Sequence, residues 1–123
     1  MRKAAVLFLL PALAGCISFH TVNDGIARAR IGETVAVGAA SVTPVRVIED
    51  SRCPTGAQCA WAGQVRISVT LADGSAAELT EGAPAAVSGG TVTLVEVYPE
   101  RRKDWAIYPD EYRFGFRWAA TGR

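Results

Sequence analysis

Two of the three cysteines in this 123-residue chain have a spacing that suits a covalent cross-link. Cys53 and Cys59 are separated by five residues, so a disulfide between them would close a ring of seven. A redox-active pair would instead show a C-x-x-C spacing at the start of a helix. A zinc site would need more ligands than the single histidine, His20, can add. Because the N-terminus predicts export to an oxidising compartment, we expect a Cys53–Cys59 disulfide and no metal or cofactor.

Cys53 and Cys59 lie in residues 49–63, a segment whose polar side chains can organise a turn. Asp50 and Ser51 can cap such a turn, and Arg52 can pair with Asp50 or Glu49. We therefore interpret the segment as a scaffold, with a ligand-contacting loop as the alternative. The residues assigned to this motif are Asp50, Ser51, Arg52, Pro54, Trp61 and Gly63.

The string D-S-R-C-P-x4-C-x-W-A-G, at residues 50–63, resembles a motif of a family of small bacterial secreted proteins and lipoproteins. The resemblance implies an exported protein and no particular activity. From the residues themselves, Pro54 and Gly56 suit a chain that turns back on itself between the cysteines. Trp61 is large enough to cover the disulfide or to close one end of the domain, and we expect one of these roles.

A second candidate segment, residues 99–109, contains three consecutive cations between two acids, followed by aromatic side chains. Arg101, Arg102 and Trp105 are the candidate contacts of a loop that binds a glycan or a protein. The charges nearly cancel locally, which favours a solvated connection instead. In that interpretation Trp105 and Tyr108 pack back onto the sheet.

Residues 1–15 resemble a bacterial lipoprotein signal peptide. Two basic residues precede an apolar run at residues 4–14, which at about 1.5 Å per residue is too short to span a hydrocarbon core of about 30 Å. Residues 13–16, L-A-G-C, at the end of this run resemble the lipobox, in which the Cys16 thiol receives diacylglycerol and the chain is cut before it. The alternative is an ordinary secretory signal in which Cys16 is incidental.

The family's sorting pattern implies a location for the lipidated chain. Ile17 follows Cys16 where an Asp would imply retention in the inner membrane, so we expect the outer membrane, with the domain facing the periplasm. Several acyl chains on one residue give stable anchoring. The predicted organisation is a tether at residues 16–25 followed by a single domain at residues 26–123.

The charge balance limits the class of partner. The chain has 13 Lys and Arg against 12 Asp and Glu, a net charge of +1. Nucleic-acid binders need a basic surplus to neutralise phosphates, so we exclude a nucleic-acid partner. The partners that stay open are the membrane, through the lipid, and an envelope protein or glycan.

Period-two alternation of apolar and polar residues predicts strands along most of the domain. The segments are residues 27–31, 35–38, 42–48, 65–71, 76–80, 91–98 and 112–118. Asp73-Gly74 predicts a hairpin, residues 81–90 a loop, and the adjacent apolar pair Leu94-Val95 a bulge or a strand covered on both faces. Pro44 predicts a strand that starts late or runs along an edge.

Together these segments indicate an all-β fold, a small antiparallel sandwich or barrel of about six or seven strands. We expect no internal repeat.

The sequence shows no nucleophile–base pair, no phosphate-binding glycine loop and no metal cluster, so we expect a protein that is not an enzyme. The leading hypothesis is a lipid-anchored periplasmic β-domain that binds or supports another envelope component. One alternative is an inhibitor that inserts residues 101–105 into an incoming hydrolase. Another is a hydrolase that uses Asp or Glu side chains, which only a fold can bring together.

The lipid anchor can be tested directly. Replacing Cys16 by Ser removes the only thiol that the lipobox presents, so Cys16→Ser should abolish incorporation of radiolabelled palmitate. Palmitate that still enters the variant chain would show that the anchor has been assigned to the wrong residue.

Overall fold

The alternating segments fold into eight β-strands within residues 24–121, the part of the chain that the computed structural model describes. Cys16, the signal segment and the start of the tether lie outside the described residues. In chain order the elements are β1 (Ile26–Ala29), β2 (Val35–Val37), β3 (Ala40–Asp50), β4 (Val65–Leu71), β5 (Ala76–Thr80), β6 (Ala85–Val87), β7 (Gly90–Tyr98), a single 3-10 turn (Pro109–Glu111) and β8 (Arg113–Ala120).

The strands form two four-stranded antiparallel sheets that pack as a sandwich, which confirms the predicted fold class. One sheet has the order β1-β8-β7-β6 and the other β2-β3-β4-β5. None of the described residues forms a helix long and apolar enough to cross a membrane.

The prediction of a loop across residues 81–90 was wrong in its second half. Ala85–Val87 forms β6, which pairs with the start of β7 so that Ala85 faces Val92 and Val87 faces Gly90. Three small residues between glycines and prolines carry too little alternation to indicate a strand. Their strand conformation is fixed by the hairpin with β7.

The core lies between the sheets and is built from the inward residues of the alternating strands. Its buried members are Ala29, Val37, Val42, Val65, Ile67, Val69, Leu79, Val92, Leu94, Val97, Tyr112, Phe114 and Phe116. Burying each of the larger of these side chains contributes about 1.5–3 kcal/mol. The core therefore draws on both sheets, and the aromatic strand β8 supplies its largest side chains.

Pro44 lies inside β3, which begins earlier than predicted, at Ala40. Its carbonyl oxygen accepts the N–H of Gly32 at 2.8 Å, on the side away from β4. The nitrogen of a residue in an extended strand points to the same side as its own carbonyl. β2 pairs with β3 only between Ala40 and Val42. The missing N–H of Pro44 therefore points to a position beyond the β2 pairing, where no ladder hydrogen bond is lost.

The two halves of the described chain repeat one another, so the expectation of no internal repeat was wrong. β1, β2 and β3 begin fifty positions before β5, β6 and β7. Just as Gly32 donates to Pro44, Gly82 donates its N–H to the carbonyl of Leu94 at 2.8 Å. A bulge follows each acceptor, and the one after Leu94 confirms the predicted bulge.

The halves are joined by an exchange of their first strands. β1 pairs with β8, the last strand of the other half, and β5 pairs with β4. The registers correspond, because Ala29 faces Phe114 in one sheet and Leu79 faces Ile67 in the other. As a result, the β3–β4 and β7–β8 connections occupy equivalent places in the two halves.

The strand phase can be tested on β8. Phe116 is completely buried and Arg117 is exposed, so Phe116→Ala should lower the free energy of unfolding by about 3–5 kcal/mol, mainly through the cavity it leaves. Arg117→Ala should change it by less than about 0.5 kcal/mol. Urea denaturation compares the two, and the opposite ranking would show that the inward face has been misassigned.

Candidate functional site

The two equivalent connections meet along their backbones. We name residues 51–64 the cysteine loop and residues 99–112 the aromatic loop. Thr55 forms an isolated parallel bridge with Arg102. The N–H of Thr55 donates to the carbonyl of Arg101 at 2.8 Å, and the N–H of Lys103 donates to the carbonyl of Thr55 at 3.3 Å. The cysteine loop therefore supports the aromatic loop along its cationic stretch.

Arg52 ties the two loops to the sheets. Its guanidinium makes a two-pronged pair with the Asp50 carboxylate, with both N–O distances 2.8 Å. The same group donates to the carbonyls of Val97 at 3.0 Å and Pro99 at 3.1 Å. Of the two acidic partners considered, Asp50 is therefore the one that Arg52 contacts. The other, Glu49, lies 3.6 Å from Arg66.

Tyr112 and Arg101 complete this polar cluster. The Tyr112 hydroxyl donates to Asp50 at 2.9 Å, and Arg101 donates to the carbonyl of Arg52 at 2.7 Å. Burial alone would raise the pKa of Asp50, but the hydrogen bonds from Arg52 and Tyr112 outweigh it and hold the pKa below its usual value. Burial, followed by the hydrogen bond to the Asp50 carboxylate, raises the pKa of Tyr112 to about 12. Asp50 is thus an ionised anchor, and Tyr112 is a neutral donor.

The predicted disulfide is present. Cys53 and Cys59 are bonded, with their Cα atoms 5.8 Å apart. Between them the N–H of Ala57 donates to the carbonyl of Pro54 at 3.1 Å, and Gly56 has a φ of +93°, a left-handed conformation that favours glycine. The chain turns at Pro54 and Gly56, as the ring requires.

The base of the cysteine loop explains two further motif residues. The N–H of Ser51 donates to the carbonyl of Gln64 at 2.9 Å, and the N–H of Gln64 donates to the Ser51 hydroxyl at 3.0 Å. Gly63 lies against this contact with a φ of +70°, and a Cβ there would come within 2.0 Å of the Ser51 carbonyl oxygen. Only glycine fits, so these contacts support the scaffold interpretation of the motif.

Trp61 has neither of its expected roles. Its side chain is 67% exposed, so it does not close an end of the sandwich or pack extensively over the disulfide. The prediction assumed that a ring of this size is buried. The core is already filled by residues of the strands, which leaves the tryptophan of the loop in solvent.

The expected packing of Trp105 and Tyr108 onto the sheet is also wrong. Their side chains are 71% and 64% exposed. The backbone of the aromatic loop is held elsewhere, by the bridge to Thr55 and by the 3-10 turn, where Glu111 accepts the N–H of Tyr108 at 2.9 Å. The rings therefore extend from a supported loop into solvent.

A cleft of about 680 Å³ lies between the aromatic loop and the adjoining strand ends. The Arg102 guanidinium lies over the Trp105 ring, 5.9 Å from its centroid, a cation–π contact that helps to orient the indole. The cleft is lined by Tyr98, Pro99, Glu100, Arg102, Trp105, Ala106, Ile107, Asp110, Glu111 and Arg113.

The structure separates the three candidate residues of the segment at residues 99–109. Arg102 and Trp105 line the cleft, while Arg101 points to the polar cluster. Sequence reasoning missed Tyr98 and the carboxylates that share the lining. Tyr98 ends a strand, Glu100 follows Pro99, and Asp110 and Glu111 follow Pro109 in what looked like an ordinary connection. Their clustering depends on the loop fold, for which the sequence offers no periodic signal.

The cleft lining combines aromatic rings with charges of both signs. Across residues 24–121 no three His, Cys, Asp or Glu side chains group so as to hold a metal ion. The chain matches no protein-family model, no curated protein and no solved structure. The family resemblance of residues 50–63 therefore stays a prediction, and a function has to be argued from the geometry of the cleft.

The importance of Arg52 can be tested against a more exposed arginine. The side chains of Arg52 and Asp50 are 18% and 9% exposed, whereas Arg66 pairs with Glu78 and Glu49 in an ion-pair cluster with more solvent access. Arg52→Met removes the guanidinium that pairs with Asp50 and donates to two carbonyls, and it should cost about 3 kcal/mol of unfolding free energy. Arg66→Met should cost less than about 1 kcal/mol. Equal losses in chemical denaturation would contradict the structural role of Arg52.

The Tyr112 hydrogen bond predicts an alkaline transition. A raised pKa means that the neutral phenol stabilises the fold fully below pH 10 and that this contribution is lost as the pH rises towards 12. In the Tyr98→Phe/Tyr108→Phe variant, ultraviolet absorbance should show the remaining phenol titrating near pH 12. Adding Asp50→Asn should move the midpoint towards 10. A midpoint of 10 in the Tyr98→Phe/Tyr108→Phe variant that retains Asp50 would rule out the Tyr112–Asp50 contact.

Proposed function

We propose that the protein is a non-enzymatic, lipid-anchored β-domain of the bacterial outer membrane, facing the periplasm, that binds another envelope component in its aromatic cleft. The observation that carries the proposal is the exposure of Tyr98 and Trp105 at the cleft lining. The lipobox supports the anchoring: Cys16 would hold the lipid, and residues 16–25 would form the tether.

Exposed aromatic rings in a cleft support a binding role on energetic grounds. Trp105 leaves 71% of its surface in water. Burying this apolar surface against a partner would stabilise the complex. Large rings and arginines are the residues that most often dominate binding energy when they lie in a concave site. Arg102 and Trp105, packed on one another, have this composition.

The rigid support below the cleft also fits a binding site. The disulfide closes a seven-residue ring that contains Thr55, and Thr55 holds Arg101 and Lys103 through backbone hydrogen bonds. A site that is ordered before its ligand arrives loses less entropy on binding. The cysteine loop is therefore assigned to positioning and the aromatic loop to contact.

The inhibitor alternative is less well supported. It needs residues 101–105 to project into the active site of another protein. Arg101 is half-buried, and its guanidinium is used in the hydrogen bond to Arg52. The same stretch is joined to the cysteine loop by the Thr55–Arg102 bridge. A concave site beside a supported loop favours receiving a ligand over inserting into one.

The hydrolase alternative is supported by one observation, the presence of Glu100, Asp110 and Glu111 in the cleft lining. A hydrolase needs two carboxylates in complementary acid and base roles. Glu111 is already occupied as the acceptor of the Tyr108 N–H. Binding alone explains the same residues, because carboxylates also accept hydrogen bonds from a ligand.

Site-specific photocrosslinking in intact cells tests the proposed function. A p-benzoylphenylalanine placed at Tyr108, an exposed aromatic position on the aromatic loop, should form adducts with an envelope component. The same group placed at Trp61, which is similarly exposed on the cysteine loop, is the matched control and should form few. Trp105→Ala should remove the adducts at Tyr108. Equal labelling from both positions, or none from Tyr108, would contradict a role for the cleft in binding.

A further inference from the structure

The size of the cleft limits what it can hold. Its volume of about 680 Å³ lies within the range of about 300–1,000 Å³ typical of sites for small ligands or short segments of a polymer. A stable protein interface buries about 800 Å² on each partner around an apolar centre. Other exposed apolar side chains, such as Val45, Ile48 and Trp61, are not part of the lining. The surface at the cleft therefore favours a compact ligand.

The charges of the lining argue against a strongly charged ligand. Three carboxylates, Glu100, Asp110 and Glu111, stand against two guanidiniums, Arg102 and Arg113. The carboxylates would repel a polyanion, and the guanidiniums would repel a polycation. A neutral ligand rich in hydroxyl groups can donate hydrogen bonds to the carboxylates and accept them from the guanidiniums, because each hydroxyl both donates and accepts.

The rings add a second requirement. Tyr98 and Trp105 are 51% and 71% exposed, and the lining between the charges is apolar at Pro99, Ala106 and Ile107. The ligand should therefore present flat apolar faces to the rings and polar groups at its edge. A pyranose has this form, with C–H groups on its faces and hydroxyls around its rim.

We infer that the cleft binds a neutral oligosaccharide, with Trp105 as the principal stacking surface. This inference rests on the proposed function and names the class of envelope component that the site takes. Glu100 and Asp110 accept hydrogen bonds from the sugar hydroxyls, while Arg113 donates to them. Arg102 orients the indole from the protein side.

Titration of the purified mature chain, residues 16–123 with the disulfide intact, tests the inference. The probes are the β-1,4-linked tetramers of N-acetylglucosamine and of glucose, followed by NMR of the tryptophan indole N–H groups. At least one tetramer should shift the Trp105 resonance with a saturable curve. Trp105→Ala should weaken that binding by about tenfold or more, as expected for loss of a central aromatic contact.

Two controls make the result specific. Trp61→Ala removes an equally exposed indole outside the cleft and should leave the affinity within about twofold, a difference of less than about 0.5 kcal/mol. A tetramer of glucosamine, which is cationic, and one of galacturonate, which is anionic, should bind more weakly than the neutral probes. Charged tetramers that bind as well as the neutral ones would overturn the inference.

The outcomes separate this inference from the proposed function. If neither neutral tetramer binds and photocrosslinking at Tyr108 captures a protein in a Trp105-dependent way, the oligosaccharide assignment is wrong and the binding function stands. If the tetramers do not bind and no Trp105-dependent adduct forms, both are wrong. Saturable binding that Trp105→Ala removes and Trp61→Ala does not supports the inference.

Discussion

The pairing of Arg52 with Asp50 is the interaction on which the arrangement of this site depends. Taking two charges out of water is costly, and such a pair is stable only when its remaining hydrogen-bonding groups are satisfied. Arg52 meets this condition by donating four hydrogen bonds, two to Asp50 and two to the carbonyls of Val97 and Pro99. The pair therefore joins the end of β3 in one sheet to the end of β7 in the other. Both long loops begin at this junction.

The repeat explains why the junction lies where it does. Each half of the described chain has a long connection after its third strand, and the exchange of β1 and β5 holds the halves together. The two connections differ in their structure. The cysteine loop uses its disulfide, Gly63 and Arg52 to build a support, and the aromatic loop places Trp105 and its neighbours in solvent. One half thus supplies rigidity, and the other supplies the surface we assign to binding.

The sequence predicted those features that depend on local pattern. Alternation placed β4 and β5 correctly and indicated the bulge in β7, because the inward face of a strand is set by its own residues. The cysteine spacing likewise predicted the disulfide. The sequence does carry the repeat: at an offset of fifty positions, residues 42–47 and 92–97 share the pattern V-T-x-V-x-V, which a strand-by-strand search for alternation does not compare. The exposure of Trp61 and Trp105 could not be predicted, since a loop tryptophan is buried only if the packed sheets leave space for it.

The central claim is that Arg52 holds the cysteine and aromatic loops together, and amide hydrogen exchange tests it most directly. The reporters are the N–H groups of Thr55 and Lys103, which bond across the two loops while the disulfide stays closed. In Arg52→Met both amides should exchange much faster than in the native protein, while the amides of β8 keep their protection relative to global unfolding. If Thr55 and Lys103 exchange as slowly in the variant as in the native protein, the two loops do not depend on Arg52.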